Sequence, residues 1–179
     1  MKLKKLVLSL LSLSMMMIMT GCSKKYELMN HYITGPFDTI TTYMSYVSSE
    51  DEFNEQCDYI EEQLNYYDQL FDKYNTYNGM NNLKTINDNA GKKAIEVDQS
   101  LIDLLNLSIE RNQKISSKVN IAFGSVINIW HDYREEAESH DGVGTVPSDE
   151  ELEKANQHTS IDSIEIDEKK KTVYINDAL

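Results

Sequence analysis

Basic residues are scarce in this sequence. Seventeen Lys and Arg stand against thirty Asp and Glu in 179 residues, for a formal charge of −13. A phosphate backbone needs a basic surface, so nucleic acid is excluded as a partner. The same balance argues against charge-driven binding of anionic lipid by the folded body. Cysteine is nearly absent, with only Cys22 and Cys57. Long apolar runs are missing too. The only candidate, Leu6–Met19, is about 14 residues, short of the roughly 18–20 that a spanning helix requires. There is no P-loop, no G-x-G-x-x-G, no CxxC pair and no H-E-x-x-H. His31, His131, His140 and His158 are scattered. No internal repeat or low-complexity tract is present. With acids everywhere, no pair of carboxylates singles itself out.

What is there begins at the N-terminus. Met1-Lys2-Leu3-Lys4-Lys5 is basic, Leu6–Met19 is apolar but for serines, and Thr20-Gly21-Cys22 follows. A charged start, an apolar middle and small residues before a cut make a secretion signal. Met19-Thr20-Gly21-Cys22 resembles the lipobox of bacterial lipoproteins, in which the Cys thiol takes a diacylglyceryl group. Residues 1–21 are thus expected to be the signal, and Cys22 the lipidated first residue on the extracytoplasmic face of the cell membrane. Several acyl chains hold a protein far more firmly than one. The plainer alternative is an ordinary secretory signal with an incidental Cys. Ser23-Lys24-Lys25 then forms a polar tether. Removing the signal leaves 14 basic residues against 30 acidic ones, near −16. With Cys22 modified, Cys57 stands alone, no internal disulfide can form, and a buried core thiol is its simplest reading.

Tyr26–Thr34 and Phe37–Val47 read as two strands around a Gly35-Pro36 turn. Ser49 and Glu52 make a capping box, after which Phe53, Cys57, Ile60, Leu64, Tyr67 and Phe71 recur at helical spacing. Lys73–Asn82 is a loop with an Asn78-Gly79 turn. Asn81–Asn87 reads as a short helix and Ala94–Val97 as a brief strand. Asp98 caps a second long helix with Leu101, Leu104, Leu105 and Ile109 on one face. Asn120 caps a third that carries Val126, Ile129, Trp130 and Tyr133, with Trp130 in the core. Arg134–Thr145 reads as an exposed loop. Pro147-Ser148-Asp149-Glu150-Glu151 opens a fourth helix with a second capping box. Ile161–Asp167 and Thr172–Asn176 form a hairpin. Strands and helices without regular βαβ alternation give an α+β class.

Five segments, in order, carry a resemblance. Phe37-Asp38-Thr39-Ile40-Thr41-Thr42-Tyr43 is similar to the first core strand of the FAD:protein FMN transferase (ApbE) family. Leu70-Phe71-Asp72-Lys73-Tyr74 looks like that family's helix end. Leu83…Ile86-Asn87 follows the Asn-rich loop. Val119-Asn120-Ile121-Ala122-Phe123-Gly124-Ser125…Trp130 resembles a further family segment, and Pro147–Leu152 the next helix.

The resemblance implies an α+β flavin-transferase fold over 37–179, after a segment 22–36 that holds the lipidated Cys, the tether and the first strand. It implies a transferase that moves FMN from FAD to a Thr or Ser hydroxyl of an exported target flavoprotein, releases AMP and uses Mg²⁺ to stabilise charge on the phosphates. Matched position by position, Phe37, Tyr74, Lys118, Val119 and Asn120 are the flavin-contacting candidates, and catalytic residues stay unassigned. Read from the residues alone, Tyr74 is a helix-end staple, Phe37 is core and Asn120 is an N-cap. Asn120 replaces a common Asp, and Phe37 a common Met. The family's Asp-x-Gly-x-x-Ala-Lys-Gly segment, its His-Ile-Asp-Pro segment and its C-terminal metal ligands are not in the sequence, which ends at Asn176-Asp177-Ala178-Leu179. The expectation is therefore a truncated N-terminal portion of that fold, without metal ligands and inactive alone. Two further readings stay open: a membrane-anchored lipoprotein that binds flavin or another small ligand without catalysis, and a fragment that does not fold.

Overall fold

Gly35 and Pro36 set the first turn. Strand β1 (Glu27–Thr34) pairs antiparallel with β2 (Ile40–Val47), from Glu27 opposite Val47 to Thr34 opposite Ile40. A 3-10 turn at Pro36–Asp38 joins them. The computed structural model describes residues 25–176, so the signal 1–21, Cys22 and residues 177–179 lie outside the described residues. Contacts divide the chain into two units, up to Leu64 and from Asn65 onward.

In the first unit, Phe37 and Asp38 sit at φ 57° and 52°. The sequence reading starts the second strand at Phe37; the structure starts it at Ile40. Pro36 has no N–H to give a ladder, and two left-handed residues cannot continue a strand. The predicted domain edge at 36/37 thus falls inside a hairpin turn. Helix α1 (Glu50–Phe71) begins with Ser49 Oγ accepting from the Glu52 N–H at 3.2 Å. The Glu52 carboxylate reaches back to Ser48, accepting from its N–H at 3.1 Å and its hydroxyl at 2.8 Å. One face of the hairpin meets this helix. Val47, Phe53 and Cys57 form a small buried cluster with Met29 and Tyr43 against it. The Tyr43 and Phe53 rings stack at 5.8 Å, and the Tyr43 hydroxyl donates to Gln56 at 2.8 Å. Burial, with Asp58 and Glu61 nearby, pushes the Cys57 thiol pKa up.

The second unit holds the larger core. Helices α2 (Leu83–Asp88), α3 (Gln99–Lys114), α4 (Gly124–Ser139) and α5 (Asp149–Asn156) accompany strands β3 (Ile95–Glu96), β4 (Ile164–Asp167) and β5 (Thr172–Ile175). The sheet order is β3-β5-β4, antiparallel throughout. Leu70, Ile86, Ile95, Val97, Leu101, Ile102, Leu105 and Val173 form one buried cluster, and each such aliphatic side chain contributes about 1.5–3 kcal/mol when fully buried. On α3 the buried face runs through Ile102, fully buried, whereas Leu104 stays 36 % exposed. Asp98 caps α3 as expected, accepting from the Ser100 N–H at 2.8 Å. The Ser148–Glu151 capping box forms on α5 with both return bonds.

Asn82 is fully buried, and its single amide ties three segments together. Its oxygen accepts from the Thr85 N–H and hydroxyl, both at 3.1 Å. Its nitrogen donates to the Gln69 carbonyl at 2.9 Å and the Asn75 carbonyl at 2.8 Å.

Two expectations about α4 are corrected. The helix runs through Ser139, so the first part of Arg134–Thr145 is helical rather than loop. Its charges make i,i+4 pairs, His131–Glu135 at 3.0 Å and Arg134–Glu138 at 4.0 Å, a solvated helix face. Trp130 is 47 % exposed and not core. Beyond α4, Gly142 at φ 80° turns the chain and its N–H donates to the Ala137 carbonyl at 2.8 Å. Gly144 then lies against α4, where an added Cβ would stand 2.5 Å from Ala137 Cβ. Among the described residues no helix is long and apolar enough to cross a membrane.

Candidate functional site

The connection from α3 to α4 carries three of the sequence-predicted residues, and side chains hold its backbone in place. Asn112 on α3 donates to the Ser117 carbonyl at 3.3 Å and the Val119 carbonyl at 2.8 Å. Ser116 Oγ accepts from the Lys118 N–H at 3.3 Å. The side chains of Lys118 and Val119 are exposed. Asn120 is half-buried; its oxygen accepts from the Ala122 N–H at 2.9 Å and its nitrogen donates to the Thr159 carbonyl at 2.8 Å. It caps the turn ahead of the helix and is not the helix N-cap. That position falls to Phe123, which offers no side-chain acceptor. The start of α4 therefore keeps N–H groups without a side-chain cap, at the positive end of the helix dipole.

This connection leads straight into a cleft of about 450 Å³, within the size range of small-molecule sites. Ile121, Ala122, Gly124, Ser125 and Asn128 line it, with Asn87, Asp88, Ala90 and Lys92 from α2 and the turn after it. His158, Ser163, Ile164 and Ile175 complete the lining. Ser125 is buried and its hydroxyl donates to the Ala155 carbonyl at 2.9 Å, which fixes the wall to α5. Lys92 Nζ donates to the Asp88 carbonyl at 2.8 Å. The lining mixes the Asn87 and Asn128 amides, the Asp88 carboxylate, the Lys92 ammonium and three Ile side chains.

Tyr74 does not line this cleft. It follows the end of α1, where the Asp72 carboxylate accepts from the Tyr74 N–H at 2.6 Å, the Asn75 N–H at 3.2 Å, the Asn75 amide at 2.9 Å and the Tyr77 hydroxyl at 2.8 Å. Burial pushes the Asp72 pKa up, but these four donors outweigh it and hold the carboxyl below its ordinary value. The Tyr74 ring is 58 % exposed. It rests against the His131 ring at 5.8 Å with Lys73 Nζ 4.7 Å from its centroid. His131 is seven residues past Gly124, about 10 Å along the axis of α4 at 1.5 Å per residue. Tyr74 and Asn120 thus border the same helix, one about two turns past its start and one ahead of it. Phe37 belongs to the other unit, on the hairpin turn, left-handed and 44 % exposed rather than core.

Sequence reasoning missed Asp72, His131 and the cleft residues Asn87, Lys92 and Asn128. An Asp two residues ahead of Tyr74 is a legible turn signal. Nothing in the sequence pairs His131 with Tyr74. Among the described residues no three of His, Cys, Asp and Glu converge so as to hold a metal ion. No step is assigned to the implied magnesium.

The ApbE family model matches residues 37–178. A crystal structure of the ApbE protein from Thermotoga maritima is similar in fold, with a TM-score of 0.63 at 19 % identity over 84 % of this chain and 44 % of that one. This chain thus spans under half the length of that solved relative. No curated protein matches it. The shared fold is α+β, and with a family match over most of its length the chain belongs to the ApbE family, of flavin-transferase type.

Proposed function

We propose that this chain contributes the flavin-holding part of an FAD:protein FMN transferase, anchored by lipidated Cys22 to the extracytoplasmic face of the cell membrane. The observation that carries this reading is the family match over 37–178. The position of Lys118, Val119 and Asn120 just ahead of the cleft-lining Ile121 supports it. In the reaction a Thr or Ser hydroxyl oxygen of the exported target attacks the phosphorus of the FMN moiety. The pyrophosphate P–O bond breaks, AMP leaves, and the hydroxyl proton is given up to a base. No described residue is assigned as that base. An aromatic ring and backbone N–H groups suit the isoalloxazine and its phosphates.

The family's Asp-x-Gly-x-x-Ala-Lys-Gly and His-Ile-Asp-Pro segments are not among these 179 residues, so the chain is expected to bind FAD without transferring FMN. Titrating FAD and following its fluorescence tests the first part. Mass spectrometry of a Thr-containing target peptide, incubated with the chain, FAD and Mg²⁺, tests the second. A peptide that gains FMN overturns the inactivity of this chain. No binding at millimolar FAD overturns the flavin reading.

The open 450 Å³ cleft favours one second reading, a lipid-anchored module that binds a small ligand without turnover. Quenching by FAD without any AMP release, even in the presence of the rest of a family member, would favour it.

A further inference from the structure

The outward face of the β1–β2 hairpin is apolar where a solvated sheet face is normally polar. Side chains alternate across a strand. The register sets Leu28 opposite Tyr46, Asn30 opposite Met44, Tyr32 opposite Thr42 and Thr34 opposite Ile40, so the even positions of both strands share one face. The odd face packs on α1 through Val47, Met29 and Tyr43, and Ile33 on the same face is buried. On the even face, Leu28, Tyr32, Ile40, Met44 and Tyr46 are each between 53 and 73 % exposed, and Tyr26, one residue ahead of the strand, is 58 % exposed. Asn30, Thr34 and Thr42 lie among them, also exposed. None of these nine residues is charged, in a chain with thirty acids.

We propose that this face rests on a lipid bilayer, with its Tyr rings and aliphatic side chains at the boundary of headgroups and acyl chains. The inference rests on the proposed lipidation of Cys22. Tyr26 is four residues beyond Cys22, and a chain spans at most about 3.3–3.6 Å per residue, so the Cα of Tyr26 lies within roughly 14 Å of the Cα of the acylated residue. An anionic surface repels the acidic body, whereas this face carries no charge to be repelled. Glu27, at the edge of the hairpin, is offset by Lys25 at 2.9 Å. Tyr with Leu, Ile and Met is the chemistry that proteins place at membrane interfaces. A second copy is the competing occupant, but it would bring two strongly acidic chains together.

The test uses the full lipidated chain in phosphatidylcholine vesicles whose acyl chains carry bromine. The sole tryptophan, Trp130, is removed as W130F and a reporter is placed on the face as Y46W. The expected result is at least twofold quenching of the reporter by brominated over plain lipid, abolished by L28S/Y32S while flotation with the vesicles is unchanged. Slow alkylation of Cys57 in each variant verifies that the hairpin still covers α1. A reporter that stays unquenched on floating protein overturns the docking and leaves the anchor standing. Protein that fails to float overturns the anchor, and the docking with it. A vesicle-free dimer whose formation L28S/Y32S abolishes, with no quenching on vesicles, assigns the face to a second copy instead.

Discussion

The β1–β2 hairpin and the β3-β5-β4 sheet handle apolar side chains in opposite ways. The hairpin buries three residues in its cluster, Val47, Phe53 and Cys57, and turns six large apolar side chains outward. The other unit draws Ile164, Ile166 and Ile175 of its short strands against eight buried residues from helices and strands. Strand length does not decide the matter, since β1 and β2 have eight residues each and β4 and β5 four. What decides it is how many elements cover the sheet. A two-stranded ribbon backed by one helix closes only one face, whereas helices that supply Leu70, Ile86, Leu101 and Leu105 make a core.

That comparison breaks first at the cores. Leu101→Ala removes a fully buried side chain and is expected to cost about 2–5 kcal/mol in denaturant unfolding. In the hairpin unit, Phe53→Ala should instead be read through Cys57, whose alkylation should speed severalfold. An unchanged rate would mean that Phe53 is not what seals the thiol. Next comes Asn82→Ala, which strands the Gln69 and Asn75 carbonyls and removes the cap of α2; about 2 kcal/mol is expected, measured the same way. Asn82→Asp keeps the cap and loses the donors, so it should recover only part of that.

A smaller effect separates the units by pH. The Ser100 N–H is the main cause of the lowered Asp98 pKa, with Tyr66 and Lys171 adding to it. The donors around Asp72 lower its pKa against the push of burial. A carboxyl whose folded pKa is depressed contributes stability that is fully present above its ordinary value of 3.8 and lost as pH falls through the folded value. Near-ultraviolet dichroism of the second unit should therefore hold to about pH 4 and weaken below it, and Asp72→Asn should flatten that fall. The smallest change expected is Trp130→Ser, within about 0.5 kcal/mol for an exposed position. A loss of several kcal/mol there would restore Trp130 to a core.

The sequence was most legible where the physics is local. The Ser148–Glu151 box, the Asp98 cap and the Asn78-Gly79 turn, with Gly79 at φ 80°, each close within four residues. The stripe on α1 needed only helical spacing. The end of α4 was misread because its charges look like loop composition, although Glu, Ala and Arg are good helix formers and His131–Glu135 and Arg134–Glu138 are spaced for pairing. Asn82 was not readable, because Gln69 and Asn75 reach it only after the chain has turned. In the candidate site, Tyr74 and Asn120 were found through their family-like segments. The His131 ring against Tyr74 and the Asn120 bond to Thr159 join positions dozens of residues apart, and no local pattern encodes them.

The contact of Gly144 with Ala137 limits how the sequence can drift. The two positions share one space, since even a methyl at 144 would collide with the Ala137 methyl. Homologues that keep this helix exit should hold small residues at both places. Those in which either one grows should also change the length of the loop, so that the pair varies together rather than independently.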